Sequence, residues 1–249
     1  MEFYKSNAIL RIASVALFFL IWQTASLFIN IELLPSPAEV LSKIIDEAKT
    51  NELFFHTFIT LKRVFISFFI AMFIGTFFGI YMGRNKKLNI FLDDWLVLGL
   101  NVPALVIIIL CYVWFGLNEA AAILAVSLNK IPMVAVIMRE GARSIERDYV
   151  EVAKFYKVNK SKLFFKVIFP QLYPYLLSSA RSGLSLIWKI VLVVELLGRS
   201  NGVGFKLYGF FQFFDISGIL AYTLAFVFLI IIIEFIIVRP FERKISVWR

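Results

Sequence analysis

Six long apolar runs, separated by shorter polar segments, set the pattern of this chain. Residues 7–28, 58–82, 95–115, 120–138, 175–197 and 216–238 are each long and apolar enough to cross a bilayer as a helix. The first run is longer than the apolar region of a cleaved signal peptide and reads as an uncleaved span. Between the first two runs, residues 31–52 are polar and net acidic. Leu34-Pro35-Ser36-Pro37 opens that segment, and Ala38–Lys49 reads as a short surface helix with Pro37 suited to its start. Residues 84–94 read as a charged loop, Gly116–Glu119 as a tight turn, residues 198–215 as a Gly-rich aromatic loop and residues 239–249 as a basic tail. The pattern predicts an all-α polytopic membrane protein, one domain over residues 1–249 with six transmembrane helices.

Departures from pure apolarity inside these runs mark what the spans do. Ser67, Ala71, Gly75, Gly79 and Gly83 recur every fourth residue, so one stripe of the second span is small and admits close approach of another helix backbone. With small residues of the fifth span, this stripe is the expected contact surface of a homodimer. Pro103 interrupts the third span, and Lys130 and Pro132 lie near the middle of the fourth. Ser178, Arg181, Ser182, Ser185 and Lys189 fall within one sector of the fifth span. Charges at membrane depth face a partner, the bundle interior or water. The stripe therefore either lines a pathway that favours an anion, with Trp188 beside it, or has a bland role. In the bland role the serines allow packing, Arg181 snorkels, and Lys189 pairs with Glu195 or Glu234. Lys130 is either a second positive wall or a satisfied buried charge.

Residues 139–170 form the longest polar segment. Asp148 is a fitting N-cap, and Glu151 three residues on completes a capping-box pattern. Ile145, Tyr149, Val152, Ala153 and Tyr156 then share one apolar face, while Glu146, Arg147, Asp148, Glu151 and Lys154 cover much of the rest. Asn159 is placed to end this helix in a left-handed conformation and Ser161 to begin the next, with Pro170 and Pro174 marking re-entry into the bilayer. A helix this short and amphipathic needs a surface to cover its apolar face, either a protein groove or lipid headgroups.

Composition narrows the function. With 61% hydrophobic residues, 28 Phe among them, and a mean hydropathy of +0.85, the chain is too apolar for a soluble domain of 249 residues. The net charge of +9 would suit nucleic acid, but the basic residues lie between spans. Roughly 17 Lys and Arg fall on one set of connecting segments and roughly 6 on the other. That asymmetry puts both termini and the 139–170 loop in the cytoplasm. Cys111 is the one cysteine and His56 the one histidine, which excludes a disulfide framework and argues against a metal cluster. A lone histidine at the edge of a span is ordinarily solvated or hydrogen-bonded. The chain has no Gly-x-x-x-x-Gly-Lys-Ser/Thr loop to cradle ATP and no hydrolase signature, so any chemistry it performs is borrowed.

Glu151-Val152-Ala153, followed by Phe169-Pro170, resembles the loop by which ABC-importer permeases dock on their ATPase subunit. The central glycine of that motif falls on Lys157 here. Leu34-Pro35-Ser36-Pro37, Trp114-Phe115-Gly116 with Glu119, the central loop, Trp188 and Glu195 extend the resemblance over nearly the whole chain. The branch is that of the nitrate, sulfonate and taurine permeases. Val102 replaces the first residue of a Pro-Pro pair common there, which predicts a weaker kink in the third span. The resemblance implies a type I ABC-importer permease fold in a bacterial inner membrane. It also implies a cytoplasmic ATPase dimer carrying the ATP and Mg, a second permease copy, and a periplasmic or lipid-anchored solute-binding protein. It assigns docking to Asp148, Tyr149, Glu151, Val152, Ala153, Tyr156 and Lys157, and no cofactor to the chain itself. A secondary transporter, or a membrane assembly protein, is the alternative; the absence of repeated halves and the presence of a docking helix argue against them.

Overall fold

The computed structural model describes residues 2–29 and 34–238; the predicted basic tail lies outside them. Eleven α-helices make up the described chain, and chain order carries most of the architecture. Helix α1 (Glu2–Phe28) is followed by α2 (Pro37–Lys49). Ser36 caps α2 through the backbone N–H of Glu39, whose carboxylate accepts from the Ser36 N–H in return, and Pro37 occupies the first turn. Helix α3 (Glu52–Arg84) runs without a break for 33 residues, about 50 Å at 1.5 Å per residue.

The third apolar run differs from its prediction. It is two helices, α4 (Lys86–Asn101) and α5 (Ala104–Phe115), bent by 98°. Val102 is extended there (φ −68°, ψ 124°), as the ring of a following proline demands, and Pro103 has no N–H to carry the helix on. One proline therefore breaks this segment without a second beside it. The charged loop expected at 84–94 is also helical, because Asn85 caps α4 by accepting from the N–H groups of Lys87 and Leu88.

Helix α6 (Glu119–Arg143) is capped by Asn118 and passes through Pro132. A short helix, α7 (Arg147–Phe155), and a single turn, α8 (Lys160–Leu163), lead through a π-helical turn (Phe164–Ile168) into α9 (Phe169–Gly198). The 198–215 loop holds helix α10 (Val203–Gln212), and α11 (Ile216–Ile233) ends in a second π-helical turn (Glu234–Val238). Helices α3, α6 and the 216–236 segment are long and apolar enough to cross a membrane, and the α4–α5 pair makes a fourth if counted as one broken span.

The bundle centres on α3, α6 and α9. The small stripe of α3 lies against α6, where a Cβ on Gly75 would stand 2.6 Å from the Val134 Cβ and one on Gly79 2.7 Å from the Met138 Cβ. The two backbones thus touch along half their length. That use of the stripe corrects the expectation that it serves a homodimer, since α6 of the same chain already fills it. Outward, Phe54, Phe58, Phe69 and Phe73 of α3 and Phe228 of α11 are exposed. So apolar a shell suits hydrocarbon rather than water.

The loop departs from its prediction in three ways. The N-cap of α7 is Glu146, not Asp148, and no side chain caps it. Tertiary contact fixes this earlier start, because the Glu146 N–H donates to Gln171 Oε1 at 2.9 Å and Ile145 packs into the cluster of Val134, Met138, Ala142, Ile168 and Leu172. The left-handed residue is Lys157 (φ 51°), while Asn159 caps α8 by accepting from the Ser161 N–H. Ser161 accordingly lies inside α8 rather than at its start.

Two measurements check this account. Gly79→Ala should lower thermal stability by about 1–3 kcal/mol, the usual cost of overpacking. Gly209→Ala, whose Cβ would meet nothing within 4 Å, should be neutral or mildly stabilising in the same detergent unfolding assay. Lys157→Gly should leave loop stability unchanged or raise it by up to about 1 kcal/mol, whereas Lys157→Val should lower it by more than that, because a β-branched residue is a poor fit to a left-handed backbone.

Candidate functional site

Three groups of residues stand out. The first is the polar stripe of α9. Ser178, Ser185 and Lys189 are exposed, and Ser182 is half-buried. Arg181 is also exposed and pairs with Glu234 of the terminal π-helical turn at 3.7 Å. Lys189 has no hydrogen-bond or ion-pair partner among the described residues. The pairings considered for it are taken by others, since Glu234 meets Arg181 and Glu195 meets Arg63. Trp188 does not belong to the stripe. It is 4% exposed and packs edge-on against Phe226 with ring centroids 6.0 Å apart, because at helical spacing it points toward α11 rather than along the sector of Ser185 and Lys189. Lys130 is buried at 5% exposure within α6.

The second group is α7, whose apolar positions divide between two sides. Tyr149, Val152, Phe155 and Tyr156 are 56–81% exposed, while Ile145 and Val150 pack inward. Ala153 is 8% exposed and faces its own chain, which corrects its place on the docking face. Its small size serves the seating of α7 against the bundle. Phe155, which the face assignment omitted, is the most exposed of the set. Asp148, Glu151, Lys154 and Lys157 are exposed. Behind α7 lies an open cleft of about 350 Å³, lined by Arg84, Arg143, Arg147, Glu151 and Lys154 among others.

The third group lies at the end of the bundle opposite α7 and centres on Arg63, a residue the sequence reading passed over. Arg63 is 2% exposed and uses all five guanidinium N–H groups. Nε and Nη2 donate to the Glu119 carboxylate at 2.8 and 2.9 Å, Nη1 donates to Glu195 Oε1 at 2.7 Å and to the Asn201 carbonyl at 2.8 Å, and Nη2 also donates to Asn201 Oδ1. Glu195 is fully buried, and its other oxygen accepts from the Thr60 hydroxyl and the Gly204 N–H, both at 2.9 Å. A Cβ at Gly202 or Gly204 would collide with Glu195 or with the Leu192 carbonyl, so only glycine lets the chain wrap this carboxylate. The Gly202 N–H donates to His56 Nδ1 and the Val203 N–H to Thr60 Oγ1, both at 2.9 Å. Arg199 adds a second cation, 3.1 Å from Glu119.

A signal for this clasp was present in the chain. His56, Thr60, Arg63 and Ser67 continue the small stripe of α3 toward Glu52 at helical spacing, and all are buried. Among the described residues no three His, Cys, Asp or Glu side chains could together hold a metal ion.

Comparison with known proteins places this architecture. Residues 75–247 match the model of a family described as binding-protein-dependent transport system inner membrane component. The chain is 34% identical over 187 residues to the putative aliphatic sulfonates transport permease protein SsuC of Escherichia coli (strain K12), covering 74% of this chain and 71% of that one. It is 26% identical over 246 residues to the taurine transport system permease protein TauC of the same organism, covering 96% and 89%. The bicarbonate transport system permease protein CmpB of Synechococcus elongatus is 28% identical over 220 residues, with 82% and 77% covered. In fold, the chain superposes on a chain of the MetNI methionine ABC transporter in an inward-facing conformation with a TM-score of 0.68 at 17% identity, covering 81% of this chain and 98% of that one. The chain therefore belongs to the binding-protein-dependent transport system inner membrane components, as an ABC-importer permease of the nitrate, sulfonate and taurine branch.

Proposed function

We propose that two copies of this permease enclose a path for a small anion between their α9 stripes. A cytoplasmic ATPase dimer carrying ATP and Mg drives it through α7, and an external binding protein delivers the solute. The observation that carries the reading is Lys189, exposed on α9 along the same face as Ser178 and Ser185, in the run read as the fifth span. A cation facing hydrocarbon costs several kcal/mol, so this face meets water or protein in the working assembly. A water-filled path between two such faces, lined by hydroxyls and a cation on each side, selects for negative charge. The named relatives handle sulfonates, taurine and bicarbonate, small solutes that carry an anionic group.

The basic loops support an orientation with α7 and both termini inside. The exposed Tyr149, Val152, Phe155 and Tyr156 supply the aromatic anchors that dominate protein interfaces. Docking there gives ATP closure a handle on α6 and α9, the helices on either side of α7, and their rigid-body tilt switches access.

Two experiments test the reading. Lys189→Met should lower uptake of radiolabelled taurine or bicarbonate by about 10-fold or more, as loss of a charge-assisted contact implies. Expression and ATPase binding should persist, and Lys189→Arg should retain most uptake. Normal uptake by Lys189→Met would refute the anion path. Tyr149→Ala combined with Tyr156→Ala should weaken ATPase co-purification by about 30-fold or more at unchanged expression, the scale of losing a 2 kcal/mol interface anchor. Full retention of the ATPase would place docking elsewhere.

A further inference from the structure

The clasp around Arg63 joins what the docking loop separates. Helix α7 hangs between α6 and α9, which leave it toward the far side of the bundle. Glu119 is the first residue of α6, and Glu195 lies in the last turn of α9. Arg63 donates to both carboxylates and also holds Asn201, in the link between α9 and α10. Arg63 itself belongs to α3, whose other half is in backbone contact with α6 through Gly75 and Gly79. Helices α3 and α6 are therefore braced near the loop by packing and at the far end by the two hydrogen bonds from Arg63 to Glu119, while the other three tie in Glu195 and Asn201. Helix α9 joins the same brace near the loop through Tyr175, whose ring lies where a Cβ on Gly141 would be, 2.6 Å away.

Cohesion alone does not require so polar a device. Apolar side chains of similar volume hold a buried site as well as an ion-pair cluster does, often better. A guanidinium whose five donors are all committed adds direction. It fixes the angle between the ends of α6 and α9 and the position of the connection leaving α9, which side chains in van der Waals contact would let slide.

Resting on the importer reading above, we propose that Arg63 is a positioning residue for transport. It makes the outer ends of α6 and α9, with the 199–204 connection, turn as one lever when α7 is moved on the cytoplasmic side. Without it, motion at α7 is absorbed by sliding between α6 and α9, and ATP is hydrolysed without a matching change of access at the outer face.

The test reads access directly and needs no identified solute. In the complete complex with its ATPase, reconstituted in liposomes, Cys111→Ala removes the native thiol and Ser185→Cys places a reporter on the α9 stripe. Labelling by a membrane-impermeant maleimide from the outer side is measured with and without trapping by ATP and vanadate. With Arg63 intact, trapping should change the labelling rate by about 5-fold or more, the lower end of ordinary coupling between sites. Two variants are then compared. Arg63→Lys keeps the charge but offers a compact ammonium with three donors. The double variant Arg63→Met, Glu195→Gln removes both fully buried charges and leaves the half-exposed Glu119 paired with Arg199, and so guards against simple misfolding. In both, ATP hydrolysis per recovered complex should persist while the trapping effect falls to about 2-fold or less. A trapping effect equal to that of the intact clasp in either folded variant overturns the proposal. Loss of hydrolysis and labelling together, in proportion to recovered complex, also overturns it, because the residue would then be structural only. If trapping has no effect even with Arg63 in place, the α9 path reading fails and takes the proposal with it.

Discussion

A guanidinium buried at the end of a membrane bundle must have every donor met, and much of this architecture follows from that requirement. Arg63 needs two carboxylates and a carbonyl within 3 Å, and they come from three places far apart in sequence: Glu119, Glu195 and Asn201. Removing one partner of such a set typically costs about 3–5 kcal/mol, because the remaining charge is left buried without compensation. The demand propagates outward. Glu195 has a second oxygen to satisfy, which requires Thr60 and the Gly204 N–H, and that approach requires glycine at 202 and 204. His56 then finds its place as the acceptor for the next backbone N–H.

The rest of the bundle is held by a different means. Lipid tails are as apolar as leucine, so burying side chains between helices gains little from the hydrophobic effect inside a bilayer. Close backbone approach and directed polar contacts take its place. The glycine stripe of α3 against α6 is the first of these and the Arg63 clasp the second, and they occupy opposite halves of the same helix face. Large apolar residues such as Phe54, Phe69 and Phe73 point outward, the reverse of a soluble protein.

Two surfaces of the isolated chain look unfinished on physical grounds. The α9 stripe exposes a cation and hydroxyls, and α7 exposes three aromatic rings and a valine on a helix too short to hold itself in place. Lys189 meets no hydrogen-bond or ion-pair partner among the described residues, and the outer face of α7 stays exposed among them. The proposed assembly accounts for both, with the α9 face meeting a second copy and α7 meeting an ATPase.

What the sequence by itself determined is set by composition and period. Length and apolarity marked the long apolar runs, Pro37 the start of α2, the four-residue recurrence from Ser67 the packing stripe, and the polar break at 139–170 the segment that holds α7. These are local signals, written in neighbouring residues. Tertiary structure decided the rest. The 3.6-residue period placed Ala153 with Tyr149 and Val152, but a helix resting on a bundle has two apolar sides, and only the bundle shows which one it covers. Asp148 had the chemistry of a cap, yet Gln171, 25 residues beyond Glu146, fixed the start of α7 there. Arg63 was the deepest omission. Read locally it is one more charge near the end of an apolar run. Its role depends on Glu119, Glu195 and Asn201, 56 to 138 residues away, and a contact at that separation leaves no periodic trace in a single sequence.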